Sequence, residues 1–91
     1  MPSPAFEHAI KLVQSLPQGN VDQDLQLRFY GLYKQATVGD APPERPTGML
    51  AFVAKSKWDA WDKHRGMAAA EAEGNYVELL KQWLPGVQLK E

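Results

Sequence analysis

Residues 30–46 read YGLYKQATVGDAPPERP, and the change of character inside this stretch decides the fold. Its first half continues a helical pattern. Leu25, Phe29, Leu32 and Ala36 fall at i, i+4, i+7 and i+11, an apolar stripe about one helix face wide. Gly39 then supplies a C-terminal stop. The second half cannot be helical, because Ala41 to Gly48 holds three prolines and a glycine, which fix φ and remove backbone donors. A helix ending near Val38 must therefore hand over to a long surface loop. Upstream, Asn20 is the expected N-cap of this helix, with Gln23 as its reciprocal partner and Asp22 and Asp24 in the positive first turn.

The same punctuation repeats on both sides. Ser3-Pro4 opens a first helix with a capping hydroxyl and a proline at the first helical position. Phe6, Ala9, Ile10 and Val13 recur at helical spacing, and Pro17 with Gly19 ends the run, which predicts a helix over 4–16. After the loop, MLAFVAKSKWDAWDKH (49–64) aligns Leu50, Ala54, Trp58, Trp61 and Arg65 on one line, closed by Gly66. A last helix gathers Ala69, Ala72, Tyr76, Leu79, Leu80 and Trp83 before Pro85-Gly86. Gly74 weakens its middle by about 1 kcal/mol, so tertiary packing has to compensate. No period-2 strand pattern competes over more than four residues. The expected fold is all-α, a four-helix bundle with a long loop between the second and third helices.

Ninety-one residues support one core, so residues 1–91 are expected to form a single domain. A composition of 44% hydrophobic and 23% charged residues is that of a globular chain rather than a disordered one. Cysteine is absent, and His8 and His64 stand apart in the sequence, which argues against a structural metal or a disulfide framework. Both histidines are expected at the surface. The chain has no basic-then-apolar leader and no window approaching the ~18 apolar residues of a membrane span, so a cytoplasmic protein without an integral membrane segment is expected. The net charge is −1, but its distribution is uneven: from Arg28 to Arg65 seven basic residues face four acidic ones, while the remainder holds three against seven. An anionic group would be accommodated by the middle of the chain; a nucleic-acid partner is not expected, since basic residues are few and no recognition helix is evident.

Counting about 100° per residue from Phe29, the core stripe lies near −20 to −60°, whereas Tyr33 lies at about 40°, Tyr30 at about 100° and Lys34 at about 140°. Two phenols and an ammonium thus form an amphipathic seam beside the core, suited to a ligand with a charged head and an apolar part. KSKWDAW (55–61) adds a second cationic and aromatic cluster, in which Trp58 is expected to anchor helix packing. Tyr76, amid Ala70, Ala72 and Gly74, reads equally as core filler and as ligand contact. Asp59 and Asp62 read as solvated partners of Lys55, Lys63 or Arg65 rather than as an acid/base pair. With no cysteine nucleophile, no Gly-x-Ser-x-Gly turn and no glycine-rich phosphate loop, a binding protein and not an enzyme is expected, with no cofactor implied.

The ordered blocks YKQATVGD, ERP, GML and KWDAW, spread across a match from about Phe6 to Trp83, resemble the acyl-CoA-binding protein family. The resemblance implies an up-down-down-up bundle that carries long-chain fatty acyl-CoA thioesters through the cytosol without changing them, acting as a monomer. It implies that adenine stacks beside an aromatic ring, that lysine and tyrosine groups meet the 3′-phosphate, and that the acyl chain is shielded by its own head group. Carried over by position, Tyr30, Tyr33, Lys34, Lys57 and Tyr76 fall on the family's binding residues, and Gly31 and Leu32 lie where the family also lines the site. Gln14 and Val53 stand where the family commonly has lysines. The alternative is a helical adaptor that presents its Tyr/Trp/Lys surface to another protein.

Overall fold

The computed structural model describes residues 3–15, 22–49 and 51–84. They form four helices: α1 (Pro4–Ser15), α2 (Gln23–Thr37), α3 (Phe52–Asp62) and α4 (Ala69–Trp83). The architecture is an all-α bundle in which α2 is central: α3 and α4 both pack on it, and α1 packs on α4. Asn20, Leu50, Pro17, Gly19 and the Pro85-Gly86 stop lie outside the described residues.

Ser3 caps α1 as expected: its hydroxyl accepts the Phe6 N–H at 3.1 Å and its carbonyl accepts the Glu7 N–H. The start of α2 differs from the sequence reading. Asp22, expected inside the first turn, is itself the N-cap; its ψ of 140° is extended, and its carbonyl already accepts the Gln26 N–H. At the other end Gly39 adopts φ 103°, and the N–H groups of Val38 and Gly39 both return to the Lys34 carbonyl.

The core is an aromatic hub. Tyr76 of α4 meets Phe6 of α1 edge-on at 5.2 Å and Phe29 of α2 at 5.0 Å, and Phe29 also meets Trp83 at 6.0 Å. Leu32, Ala9 and Leu80 complete it. Edge-to-face pairs of this kind each add about 0.5–1.5 kcal/mol beyond the area they bury. One side chain thus joins three helices.

A second buried line runs along α2 through Gly31 and Gln35, one turn apart. A Cβ on Gly31 would lie 2.8 Å from the Ala60 carbonyl carbon and closer still to its oxygen, so glycine is what lets the backbones of α2 and α3 approach here. This contact sets the face that α3 buries. Ala60 and Trp61 are turned inward, whereas Ala54, expected on the core line, is exposed, and Trp58 is only half-buried. Beyond Asp62 the helix tightens: His64 and Arg65 donate to the carbonyls three residues back, and Gly66 turns the chain at φ 87°. Arg65 therefore leaves the helical line assigned to it.

The proline-rich connection, described over residues 38–49, is fastened by the side chains around it. Trp61 Nε1 donates to the Gly39 carbonyl at 2.6 Å and Trp58 Nε1 to the Pro42 carbonyl at 2.9 Å. Arg65 donates to the Ala41 carbonyl, and Arg45 grips Asp59 through both Nε and Nη2. Asp59 thus pairs with Arg45 in the loop rather than with a helical lysine, while Asp62 pairs with Arg65 as expected. Gln35, 1% exposed, donates its amide to Asp40 and to the Met67 carbonyl, both at 2.9 Å. That amide and the Gly66 N–H hold the Asp40 carboxyl below the usual carboxylate range.

Candidate functional site

All four helices contribute to a cleft of about 350 Å³. Tyr30 and Tyr33 come from α2, Lys57 and Val53 from α3, Gln14 with Ile10 and Val13 from α1, and Tyr76 from α4. The seam expected from helical periodicity on α2 is therefore one wall of a real concavity.

Its polar pole is built around one ring. Lys57 Nζ lies 5.4 Å and Lys34 Nζ 6.0 Å from the centroid of Tyr30, so ammonium groups from two helices lie near the same phenol. Lys34 is also 5.2 Å from the Trp61 ring, whose indole is itself anchored to Gly39. The close approach at Gly31 brings α3, and with it Lys57, against the helix that carries Tyr30. Two like charges beside a partly desolvated ring are a ready partner for a phosphate, which both can reach by charge-assisted hydrogen bonds.

Two of the phenols, Tyr30 and Tyr76, are held as donors. Burial pushes the Tyr30 hydroxyl up from its ordinary value. Burial, and then the neighbouring Tyr33, push Tyr76 up to about 12. Away from this pole the cleft wall turns apolar, through Ile10, Val13, Leu27 and Val53. One end suits an anion and the rest suits hydrocarbon.

Six of the nine residues expected at the site line this cleft: Gln14, Tyr30, Tyr33, Val53, Lys57 and Tyr76. Lys34 adjoins it through the Tyr30 ring. Gly31 and Leu32 do not face it: Gly31 is buried against the Ala60 backbone, and Leu32, 6% exposed, belongs to the core. They lie on the two other sides of α2, so their part is to pack α3 and α4. Tyr76 proves to be both core hub and cleft wall. Sequence reasoning missed Gln23 and Gln26, although the count that placed the tyrosines puts Gln26 at about 60° and Gln23 at about 120°, on the same seam.

A larger groove of about 640 Å³ runs between α3 and α4 across α2. Its walls carry charges of both signs, among them the Arg28–Asp24 pair at 3.2 Å and Asp59, which is taken by Arg45. His64, expected at the surface, is half-buried in this wall and sits by Gly31; burial and then Lys63 lower its pKa. Volume alone does not make this groove the site, because its charges largely neutralise one another, whereas those of the smaller cleft converge on one ring.

Fold and cleft together define a helical-bundle binding domain for an amphiphile with an anionic head. The chain belongs to the acyl-CoA-binding protein family: the family model described as Acyl CoA binding protein matches residues 3–80. It is 47% identical over 77 residues to an acyl-CoA-binding protein of Gossypium hirsutum, covering 85% of this chain and 84% of that one. To the acyl-CoA-binding protein of Saccharomyces cerevisiae it is 40% identical over 82 residues, covering 90% and 92%. The crystal structure of ACBP from Moniliophthora perniciosa superposes with a TM-score of 0.81 at 44% identity, covering 90% of this chain and 79% of that one. Other relatives are longer: the chain spans 66% of one from Caenorhabditis elegans and 48% of one from Oryza sativa.

Proposed function

We propose that this chain binds long-chain fatty acyl-CoA thioesters in the cleft among its four helices and serves as their carrier and buffer. The observation that carries this reading is the placement of Lys34 and Lys57 beside the Tyr30 ring, which lines a cleft whose remaining wall is largely apolar. Lys34, Lys57 and the Tyr30 hydroxyl take the phosphate-bearing head; Tyr33 and Tyr76 offer rings and hydroxyls to the nucleotide; Ile10, Val13 and Leu27 receive the tail. Gln14 and Val53 line the same cleft as neutral contacts. Two charge-assisted contacts at roughly 1.5–3 kcal/mol each, stacking of about 1–3 kcal/mol and tail burial at ~0.8 kcal/mol per methylene outweigh ordering costs of several kcal/mol. The relatives' names as acyl-CoA-binding proteins support the same ligand class.

The protein acts in this reading as a single-domain monomer in the cytosol, and returns its ligand unchanged. Among the described residues no helix is long and apolar enough to cross a membrane. The adaptor reading is not favoured, because Trp58 and Trp61 spend their N–H groups on the 38–49 loop and the tyrosines line a concavity rather than a flat face. Titration calorimetry with palmitoyl-CoA, free palmitate and free CoA tests the proposal. Tight binding of the thioester, feeble binding of the acid and recovery of intact thioester are expected; equal affinity for the free acid would refute it.

A further inference from the structure

The cleft is small for the ligand class proposed for it. About 350 Å³ is at the low end of what drug-sized ligands occupy, ~300–1,000 Å³, and a nucleotide head joined to a long acyl tail is larger than such ligands. Part of the ligand has to lie outside. Among the described residues four large apolar side chains are exposed, and three of them fall within five positions of one another: Met49 at 89%, Phe52 at 66% and Val53 at 65%. Val53 also lines the cleft, so it forms the rim where the cavity opens onto this patch.

The direction is fixed by α3. Val53 and Lys57 are one turn apart on the same face, about 6 Å along the axis. A head held at Lys57 and Tyr30 therefore places its tail within reach of Val53, and further carbons would pass over Phe52 and Met49. Exposed apolar groups scattered singly need no explanation, but neighbours in sequence that begin at the rim of a ligand cleft do.

We infer that Phe52 and Met49, beyond the Val53 rim, form an apolar shelf that sets this chain's preference for acyl length, a specificity role resting on the acyl-CoA reading above. Short tails end inside the cleft and ignore the shelf. Long tails cover it.

The test compares octanoyl-CoA and palmitoyl-CoA by calorimetry on the 91-residue chain and on Phe52→Ser and Met49→Ser. Both positions are exposed, so the substitutions remove apolar surface without opening a core cavity, and unchanged thermal unfolding serves as the control. The shelf predicts that each variant weakens palmitoyl-CoA binding by roughly fivefold to tenfold and leaves octanoyl-CoA within about twofold. Equal weakening of both ligands, or no change in either, overturns it. If the unaltered chain binds palmitoyl-CoA no better than palmitate, the acyl-CoA reading itself fails, a result that does not depend on the variants.

Discussion

Two glycines inside helices, Gly31 in α2 and Gly74 in α4, provide a matched pair in which the same substitution should have opposite effects. Replacing a helical glycine by alanine gains about 0.8–1 kcal/mol of helix propensity. At Gly74 a new Cβ meets nothing within 4 Å, so Gly74→Ala should keep most of that gain. The melting temperature should then rise by about 3–7 °C for a domain of this size. At Gly31 the methyl would press on the Ala60 carbonyl, which is backbone and cannot swing aside as a side chain could. Overpacking costs typically ~1–3 kcal/mol, and at a backbone clash the upper part of that range applies, leaving a net loss of about 1–2 kcal/mol after the propensity gain. The lost stability is only half of the prediction. Forcing α3 outward also draws Lys57 away from Tyr30, so Gly31→Ala should weaken palmitoyl-CoA binding while Gly74→Ala leaves it unchanged. Thermal unfolding followed by circular dichroism, with calorimetry for binding, reads both effects. Should Gly31→Ala stabilise the protein as Gly74→Ala does, with full affinity retained, the close approach of α2 and α3 would not be what builds the site.

Three other perturbations test separate parts of the account. Gln35→Ala removes the buried amide that bridges Asp40 and the Met67 carbonyl, and urea unfolding should show a loss of about 1–3 kcal/mol; a loss within error would mean the loop does not depend on it. Tyr76 keeps its proton to about pH 12 when folded, whereas an unfolded tyrosine releases it near 10, so its contribution is intact below pH 10 and is lost as pH rises toward 12. Tyr76→Phe should flatten the alkaline fall in stability across that window, as measured by denaturation at fixed pH steps. Lys34→Ala should weaken palmitoyl-CoA binding by ~2 kcal/mol, and CoA thioester lacking the 3′-phosphate should bind parent and variant with little difference; equal discrimination by both proteins would remove Lys34 from the phosphate contact.

Much of this architecture is legible in the sequence because it is written in periodicity and punctuation. Phe6, Phe29, Leu32, Tyr76 and Leu80 fall on helical stripes, and Ser3, Gly39 and Gly66 mark turns that the backbone then makes. The tyrosine seam on α2 was legible for the same reason, since a helical wheel places side chains before any tertiary contact is known. The face of α3 was not. Its apolar spacing favours Ala54 and Trp58, yet the buried side is set by Gly31 on another helix, which has no side chain to announce the contact. Gln35 was missed because a polar residue is rarely fully buried without specific partners, and those of its amide nitrogen, Asp40 and Met67, lie 5 and 32 positions away. The placement of Lys57 beside Tyr30 likewise depends on the packing of two helices; the resemblance to a known family anticipated it, and periodicity did not.

The location of bound ligand separates the cleft from the larger groove in a single titration. Adding palmitoyl-CoA to ¹⁵N-labelled protein should shift the backbone amides of Tyr30, Tyr33, Lys57 and Gln14 most strongly, with Arg28, Lys63, Asn75 and Gln82 little affected. Shifts concentrated on the second set, with the first set still, would contradict binding at the Tyr30 pole.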